Sequence, residues 1–210
     1  MDLQMNGKTA LVTGASAGIG KAIAFALARE GVDVAICARR QGPLEAAASQ
    51  IARETNRKIV AVPADLTKPD DAEAFVKKAH AALGRVDILV NNAGSSPGGV
   101  LEFLTEEHWA ESLQLKFMGY VRCLKHVLPI MQSQGRGRVV NLIGNDGVKP
   151  SYWEIAPGAA AANGTMEIAV AYPCANGLPR ASGGRPAARH LVWPHRREVT
   201  TAIGPWGSHE

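Results

Sequence analysis

The sequence predicts an α/β protein built on a doubly wound parallel sheet. Five short apolar runs alternate with four segments in which apolar residues recur at helical spacing. The runs are almost continuously hydrophobic, which is typical of parallel strands buried on both faces. Right-handed crossovers between such strands place helices on both sides of the sheet.

Short apolar runs bounded by turn residues predict the strands. The first run, TALVT, leads directly into glycines, as expected of a buried strand that ends in a tight turn. The later runs DVAICA, KIVAV, VDILV and RVVNLI each follow a helical segment. The predicted strands are therefore Thr9–Thr13, Asp33–Ala38, Lys58–Val62, Val86–Val90 and Arg138–Ile143.

Helical periodicity connects these strands. The first helix is predicted to end near Gly31, the second to cover Leu44–Glu54, and the third to end at Gly84. A long fourth helix is predicted from Glu106 to about Gln132. The residues that carry these patterns are Ile19, Ala22, Ile23, Ala26 and Leu27 in the first helix, Ala72, Phe75, Val76, Ala79 and Leu83 in the third, and the inward-facing Trp109, Leu113, Phe117, Tyr120, Val121 and Leu124 in the fourth.

The regular order stops at about residue 170. The segment 171–210 is rich in Pro, Gly, Arg and Ala, and LVW at 191–193 is its only compact apolar run. It shows neither helical nor strand periodicity. We therefore predict one folded domain over residues 1–170, whose C-terminal part is incomplete or irregular, and a separate irregular tail over 171–210.

Composition argues against several classes of protein. The 210 residues are 46% hydrophobic and 20% charged, which is typical of a globular domain with its own core. Three cysteines without a CxxC pair or a His/Cys cluster argue against a disulfide framework or a metal site and fit a reducing, cytoplasmic compartment. The net charge of +4 is interspersed with acidic residues, which indicates a solvated surface rather than a nucleic-acid site. Neither a signal peptide nor a membrane-spanning stretch is expected.

A glycine-rich turn lies between the first strand and the first helix. The segment TGASAGIG contains Gly14, Gly18 and Gly20 in a GxxxGxG spacing. Residues without a Cβ allow backbone N–H groups to approach a pyrophosphate closely. The N-terminus of the following helix favours an anion at the same place. The strand–turn–helix setting favours a phosphate site over a turn without a ligand.

TGASAGIG resembles the cofactor loop of the short-chain dehydrogenase/reductase family, and further motifs of that family follow in order. PADL contains Asp65, and NNAG ends the fourth strand. The resemblance covers about residues 5–165. It implies a Rossmann-type domain that binds NAD(P) at the carboxyl ends of its strands. It also implies an oxidoreductase that moves a hydride between the cofactor and a small-molecule carbonyl or alcohol.

The resemblance further implies which residues contact the cofactor. Asp65 corresponds to the acidic residue that contacts the adenine ring in the family. NNAG lies along the cofactor there, and Asn91 ties the central strands together. The implied cofactor-binding residues are Gly14, Ser16, Gly18, Ile19, Gly20, Arg39, Arg40, Asp65, Leu66, Asn91, Asn92, Ala93 and Gly94.

Residues at the end of the second strand favour NADP over NAD. An NAD-selective site places a carboxylate there to bond the ribose 2′-hydroxyl. This chain reads ICARRQ, with Arg39 and Arg40 adjacent and no carboxylate. A guanidinium pairs well with a 2′-phosphate. We therefore expect NADP, with NAD as the alternative and two solvent-facing arginines as the interpretation without a ligand.

The catalytic residues of the family are absent from the matching positions. Active members use a serine after the fifth strand and a tyrosine and lysine in a YxxxK motif, with the tyrosine as proton donor. The matching positions here are Gly144, Pro157 and Ala161. No YxxxK occurs anywhere in the chain, and no lysine follows Lys149.

Two residues remain as weak catalytic candidates. Lys116 occupies the helix position of the family's asparagine and serves as an acid or cation only if burial lowers its pKa. Tyr152 lies close to the expected tyrosine and would act with Lys116 or Lys149. The alternatives are an exposed helix lysine and a tyrosine that packs with Trp153.

The family's sixth and seventh strands have no counterpart in this chain. Nothing resembles the RVNxVxPG segment, which predicts an open sheet edge. The family forms its dimer or tetramer face on the long helix and the next one, so a homo-oligomer is expected only if the fold is complete. The tail composition fits a frameshifted or truncated reading frame better than a divergent C-terminus with its own role.

Three functions therefore stay open from sequence alone. The leading one is an NADP-dependent oxidoreductase of the short-chain dehydrogenase/reductase type. The second is a non-catalytic nucleotide-binding protein whose partner senses its cofactor state. The third is an inactive product of a frameshifted or truncated gene.

Overall fold

A computed structural model describes residues 3–95 and 101–143 of the chain. Within them, five strands form one sheet: β1 (Thr9–Thr13), β2 (Asp33–Ala38), β3 (Ile59–Pro63), β4 (Ile88–Asn91) and β5 (Arg138–Asn141). All five predicted strands are present. The first two have the predicted bounds, while the other three differ by one or two residues at their ends.

The strands are parallel and follow the order β3-β2-β1-β4-β5. The sheet therefore grows outward in both directions from β1, which confirms the doubly wound arrangement. In this arrangement, the crevice between the two halves lies beyond the carboxyl ends of the central strands. Thr13 at the end of β1 is in register with Cys37 at the end of β2.

Within the described ranges, five α-helices and one π-helical segment accompany the sheet. The helices are α1 (Gly18–Arg29), α2 (Gln41–Thr55), α3 (Pro69–Leu83), α4 (Glu106–Ser112) and α5 (Gly119–Ser133). A π-helical segment, Leu113–Met118, joins α4 to α5, and Leu101–Phe103 forms a 3₁₀ turn. Gly84 ends α3 in a left-handed conformation with φ +77°, as the sequence predicted. None of the helices in the described ranges is long and apolar enough to cross a membrane.

The sheet separates two hydrophobic clusters. Alternate residues of β1 point to opposite faces, so that Ala10 and Val12 pack with α1 and α2 while Leu11 packs with α3 and α5. Phe75 and Ala79, two residues of the predicted third-helix pattern, are fully buried in the cluster that contains Leu11. The central strands β1 and β2 are nearly inaccessible, whereas β3 and β5 are only partly buried, because each has a strand on one side only among the described residues.

The first helix buries small residues against the sheet. Its buried positions are Gly20, Ala24 and Ala28, and Ile19 is 66% exposed. The helix itself is confirmed, but the apolar pattern of the sequence identified only part of its inner face. Small side chains allow α1 to lie close to β1, and this close approach buries backbone rather than large apolar side chains.

The long predicted helix is interrupted by the π-helical segment. Tyr120 and Leu124 are buried as expected, but Trp109, Leu113, Phe117 and Val121 are only partly buried. A π turn closes its hydrogen bonds over one more residue than an α turn, so the face that meets the sheet shifts along the chain. The residues that the sequence pattern missed on the buried face are Leu115, Cys123, Val127 and Met131.

Candidate functional site

The glycine turn after β1 packs directly against the segment that follows β4. Gly14 has φ +66°, in the left-handed region that favours glycine. A Cβ at Gly14 would lie 2.8 Å from the Cα of Ala93. The backbone of the turn therefore approaches the NNAG segment more closely than any side chain would allow.

Thr13 and Asn92 hold these two segments together. The Thr13 hydroxyl accepts hydrogen bonds from the backbone N–H groups of Asn92 and Ala93, both at 2.9 Å. The Asn92 amide donates to the carbonyl oxygens of Thr13 at 2.8 Å and Gly14 at 3.1 Å. A Cβ at Gly20 would collide with this amide and with the Gly14 carbonyl. The turn, the start of α1 and NNAG thus form one packed unit.

This unit forms one wall of a cleft of about 480 Å³ at the carboxyl ends of the strands. Its size falls within the range of small-molecule and cofactor sites. Most predicted cofactor residues lie in its walls, together with four residues that the sequence motifs did not identify. The lining residues are Gly14, Ser16, Cys37, Ala38, Arg39, Arg40, Ala64, Leu66, Ala93, Gly94 and Leu115.

The positions of three of the unpredicted lining residues in the cleft follow from the topology of the sheet. Cys37 and Ala38 end β2, and Ala64 follows β3, so their position at the carboxyl edge of the sheet is a signal that the sequence did contain. Burial raises the pKa of the Cys37 thiol well above its ordinary value, and the neighbouring Cys123 raises it further. Cys37 therefore contributes shape to the cleft as a protonated thiol. Leu115 belongs to the π-helical segment and had no sequence signal.

Arg39 and Arg40 lie at the rim of the cleft, where β2 leads into α2. Both are exposed, and Arg40 is the N-cap residue of α2. The charge of Arg39 helps to lower the pKa of Asp65 in the turn after β3. The arrangement gives the cleft a cationic rim at one end.

Asp65 has an ordered carboxylate next to the cleft. Its Oδ1 accepts hydrogen bonds from the Thr67 hydroxyl at 2.8 Å and the Thr67 N–H at 3.1 Å. Burial acts to raise the pKa of Asp65, but the bonds from Thr67 and the charges of Lys68 and Arg39 outweigh burial and lower it below 3.8. Asp65 is therefore ionised at neutral pH, and the turn that carries it is held rigidly.

Replacing Asp65 with Asn is expected to make the unfolding free energy depend less on pH in the acid range. A lowered carboxyl pKa stabilises the folded state above the unfolded-state pKa, and this contribution is lost as the pH falls through the lower folded-state pKa. The difference in unfolding free energy between the wild type and Asp65→Asn should be constant between about pH 5 and 7 and shrink below about pH 4. Urea unfolding at a series of pH values measures it. If the difference in unfolding free energy between the two proteins stayed constant down to about pH 3, the lowered pKa of Asp65 would be contradicted.

A second polar network ties β4 to β5 beneath the cleft. The side chain of Asn91 is fully buried and donates to Asn141 Oδ1 at 2.9 Å. The buried Tyr120 hydroxyl donates to the Leu142 carbonyl at 2.8 Å, and burial raises the pKa of Tyr120 far above its ordinary value. Tyr120 is thus a structural phenol rather than a proton donor. Asn91 lies where the family resemblance implied a residue that ties the central strands together.

Lys116 lies next to the end of the NNAG segment. A Cβ at Gly94 would be 3.7 Å from its Cδ and 3.9 Å from its Cε. The side chain is partly buried, and no ion pair involves it in the described part of the chain. The π-helical segment thus places a cation beside Gly94, a residue that lines the cleft. Tyr152, Gly144, Pro157, Ala161 and the predicted tail over 171–210 lie outside the described residues.

The sequence matches the short chain dehydrogenase family over residues 8–167. The chain belongs to this family. Relatives include an uncharacterized oxidoreductase of Bacillus subtilis, YvrD, which is 35% identical over 150 residues, or 71% of this chain and 56% of the relative. The 3-oxoacyl-(acyl-carrier-protein) reductase FabG of Staphylococcus epidermidis is 36% identical over 64% of this chain and 55% of its own length. This chain thus spans little more than half the length of these relatives.

Solved structures of the family superpose on this short-chain dehydrogenase. L-sorbose reductase from Gluconobacter frateurii, complexed with NADPH and L-sorbose, matches with a TM-score of 0.77 and 31% identity, covering 79% of this chain and 63% of the reductase. An NAD⁺-bound xylitol dehydrogenase matches with a TM-score of 0.73 and 30% identity, covering 76% of this chain and 62% of that enzyme. Related proteins therefore bind either nicotinamide dinucleotide.

Proposed function

We propose that this short-chain dehydrogenase binds NADP(H) and moves a hydride between it and a small carbonyl or alcohol substrate. The observation that carries the proposal is the packed unit of Thr13, Gly14 and NNAG at the mouth of a cleft with a cationic rim. The complexes of L-sorbose reductase with NADPH and xylitol dehydrogenase with NAD⁺ support a nicotinamide dinucleotide as the ligand class.

The start of α1 fits a pyrophosphate. No side chain caps the first turn of this 12-residue helix, and no acidic residue lies in it. Its backbone N–H groups therefore remain available to an anion, and the helix dipole favours one there by about 0.3–1 kcal/mol or more. Among the described residues, nothing outside its own turn and helix lies within 4 Å of the Cβ position at Gly18, which leaves space above the turn. The residues present fit the phosphate groups of a dinucleotide.

Adenine and the 2′-phosphate fit the other end of the same cleft. Asp65 and Leu66 would meet the adenine ring, and Arg39 and Arg40 would pair with the 2′-phosphate. The apolar surface between them comes from Ala38 and Ala64. This arrangement supports NADP over NAD, because no acidic residue at the end of β2 is placed to bond a free 2′-hydroxyl.

Replacing both Arg39 and Arg40 with Ala is expected to weaken NADPH binding by about tenfold to a hundredfold, the effect of losing a hydrogen bond to a charged group. NADH binding should change by less than about twofold, because NADH carries no 2′-phosphate. Fluorescence titration with each cofactor measures both constants. Arg53→Ala, an exposed arginine of α2, serves as the control and should bind both cofactors like the wild type. An equal loss for both cofactors would contradict 2′-phosphate recognition.

The reaction depends on the nicotinamide end of the cleft. NADPH, when bound, supplies the hydride. Lys116 would lie beside the reacting carbonyl, where its ammonium group would orient the substrate oxygen through a charge-assisted hydrogen bond. Leu115 would exclude water from that end. The absence of a YxxxK motif supports the alternative function, which is a nucleotide-binding protein without catalysis.

Two measurements separate these functions. Thermal unfolding with and without NADPH tests binding, because a ligand specific for the folded state must raise the melting temperature. Oxidation of NADPH in the presence of a panel of carbonyl substrates tests catalysis. Stabilisation together with turnover supports the oxidoreductase, and stabilisation without turnover supports the binding protein. Cooperative unfolding that neither NADPH nor NADH shifts would contradict both.

A further inference from the structure

Arg122 of α5 contacts two segments that each carry a residue lining the cleft. Its Nη1 donates hydrogen bonds to the carbonyl oxygens of Leu66 and Gln114, both at 3.0 Å, and its Nη2 donates to Gln114 Oε1 at 2.6 Å. Leu66 lines the cleft after β3, and Gln114 belongs to the π-helical segment. We propose that Arg122 is a positioning residue that joins these two segments and thereby sets the geometry of the cofactor cleft. This inference rests on the proposed function.

The π-helical segment needs an additional donor of this kind. In π-helical geometry, i→i+5 hydrogen bonds replace the regular i→i+4 bonds over one turn, and such turns are rare. Arg122 supplies a charged donor to the Gln114 carbonyl from eight residues further along the chain. Charge-assisted hydrogen bonds of this type are about twice as strong as neutral ones. Arg122 therefore stabilises the irregular turn itself.

The same side chain fixes the distance between the turn and the adenine side of the cleft. Gly119, at the junction of the π-helical segment and α5, lies against Leu66. A Cβ at Gly119 would be 3.5 Å from the Leu66 Cβ and 3.6 Å from the Leu66 carbonyl oxygen. The helix and the loop are therefore in direct contact, and the guanidinium spans that contact. A displaced π-helical segment would also displace Leu66.

The residues that follow Gln114 face the cleft. Leu115 lines it, and Lys116 lies beside Gly94. Arg122 thus connects Leu66, in the loop after β3, with the segment that carries Leu115 and Lys116. A guanidinium reaches all three acceptors because its nitrogens lie in one rigid plane, whereas a lysine ammonium is a single point.

The experiment compares Arg122→Met and Arg122→Lys with Lys125→Met, an exposed lysine on the same helix. Amide hydrogen exchange of the cofactor-free protein is measured first. Arg122→Met should speed exchange by about tenfold or more both at residues 65–67 and at 113–118, while residues 75–79 of α3 keep the wild-type rate. The dissociation constant of NADPH should rise by about tenfold. Arg122→Lys should behave like Arg122→Met, and Lys125→Met like the wild type.

Several results would overturn the inference. Unchanged exchange in either segment, or equally faster exchange in α3, would reduce Arg122 to an ordinary stabilising residue. Wild-type exchange rates and NADPH affinity in Arg122→Lys would show that a positive charge at this position is sufficient, which contradicts the bridging role of the guanidinium. Should Arg122→Met fail to fold, Gln114→Leu removes one acceptor at an exposed position and must speed exchange in both segments to a smaller extent.

The hydrogen-exchange measurement also separates this inference from the proposed function. A wild-type protein that binds neither NADPH nor NADH refutes the proposed function. It also refutes a role of Arg122 in cofactor binding, while the exchange rates still decide whether Arg122 joins the two segments. Normal NADPH affinity in Arg122→Met refutes the inference and leaves the proposed function intact.

Discussion

Gly14→Ala is expected to abolish detectable NADPH binding, with a dissociation constant raised by about a hundredfold or more. The φ of +66° at Gly14 costs an L-residue about 1–2 kcal/mol. The added Cβ would also meet the Ala93 Cα at 2.8 Å, and this contact is relieved only if backbone moves. Because the Asn92 amide bonds the Gly14 carbonyl, movement here also displaces NNAG. Fluorescence titration with NADPH measures the loss.

Gly42→Ala is the matched control for this substitution. Gly42 lies in the first turn of α2, with no protein atom within 4 Å of its Cβ position. This variant should bind NADPH like the wild type and be at least as stable, because Ala favours a helix over Gly. Gly18→Ala adds strain without a collision, since Gly18 has φ +55° and open space around it, so it should lose less stability than Gly14→Ala. If Gly14→Ala bound NADPH as tightly as the wild type, the proposal that the turn at Gly14 binds the phosphates of NADPH would be contradicted.

Asp87→Ala is expected to destabilise the fold by about 1–3 kcal/mol, the cost of leaving buried donors such as the Thr9 N–H without their acceptor. The Asp87 side chain is 6% exposed and lies at the amino ends of β1 and β4, away from the cleft. Its Oδ2 accepts hydrogen bonds from the Thr9 N–H at 3.0 Å and the Thr9 hydroxyl at 3.3 Å. Its Oδ1 pairs with Arg85 at 2.5 Å and with Arg136 at 3.5 Å.

Urea unfolding of Asp87→Ala measures this loss of stability. Two further variants show which interactions of Asp87 cause it. Asp87→Asn keeps an acceptor for Thr9 but loses the charge, so its midpoint should lie between those of the wild type and Asp87→Ala. Glu73→Ala removes an exposed pair with Lys77 and should leave the midpoint unchanged, since exposed ion pairs contribute little. A wild-type midpoint in Asp87→Ala would show that Thr9, Arg85 and Arg136 find other partners.

The sheet and its glycine turn could be predicted because both leave local signals. A buried parallel strand needs a nearly continuous apolar run, and the TALVT and DVAICA runs match β1 and β2 residue for residue. A phosphate-binding turn needs residues without a Cβ, and Gly14 and Gly20 are glycines because their neighbours leave no space for one. The bounds of β3, β4 and β5 differ from the predicted ones by one or two residues, because apolar runs mark the middle of a strand better than its ends.

The inner face of α1 and the form of the long helix could not be read from apolar spacing. Ala24 and Ala28 meet the sheet, whereas the predicted pattern placed the exposed Ala22 and Ala26 there, because a helix with alanines on several faces gives apolar spacing little to choose between them. The spacing from Trp109 to Leu124 continues smoothly through the π-helical segment, so it contains no mark of the extra residue in that turn. The position of Leu115 in the cleft follows from that turn alone.

The amino-acid sequence by itself determined the parallel sheet, the place of the glycine turn and the basic rim formed by Arg39 and Arg40. These depend on residue types at short spacing, which act through local backbone preference and burial. Only the tertiary structure decided that Thr13 and Asn92 join the two central loops and that Arg122 connects Leu66 with the π-helical segment. The physical reason is that each of these contacts pairs groups far apart in the chain or across an irregular turn, where hydrogen-bond geometry and not periodicity selects the partner.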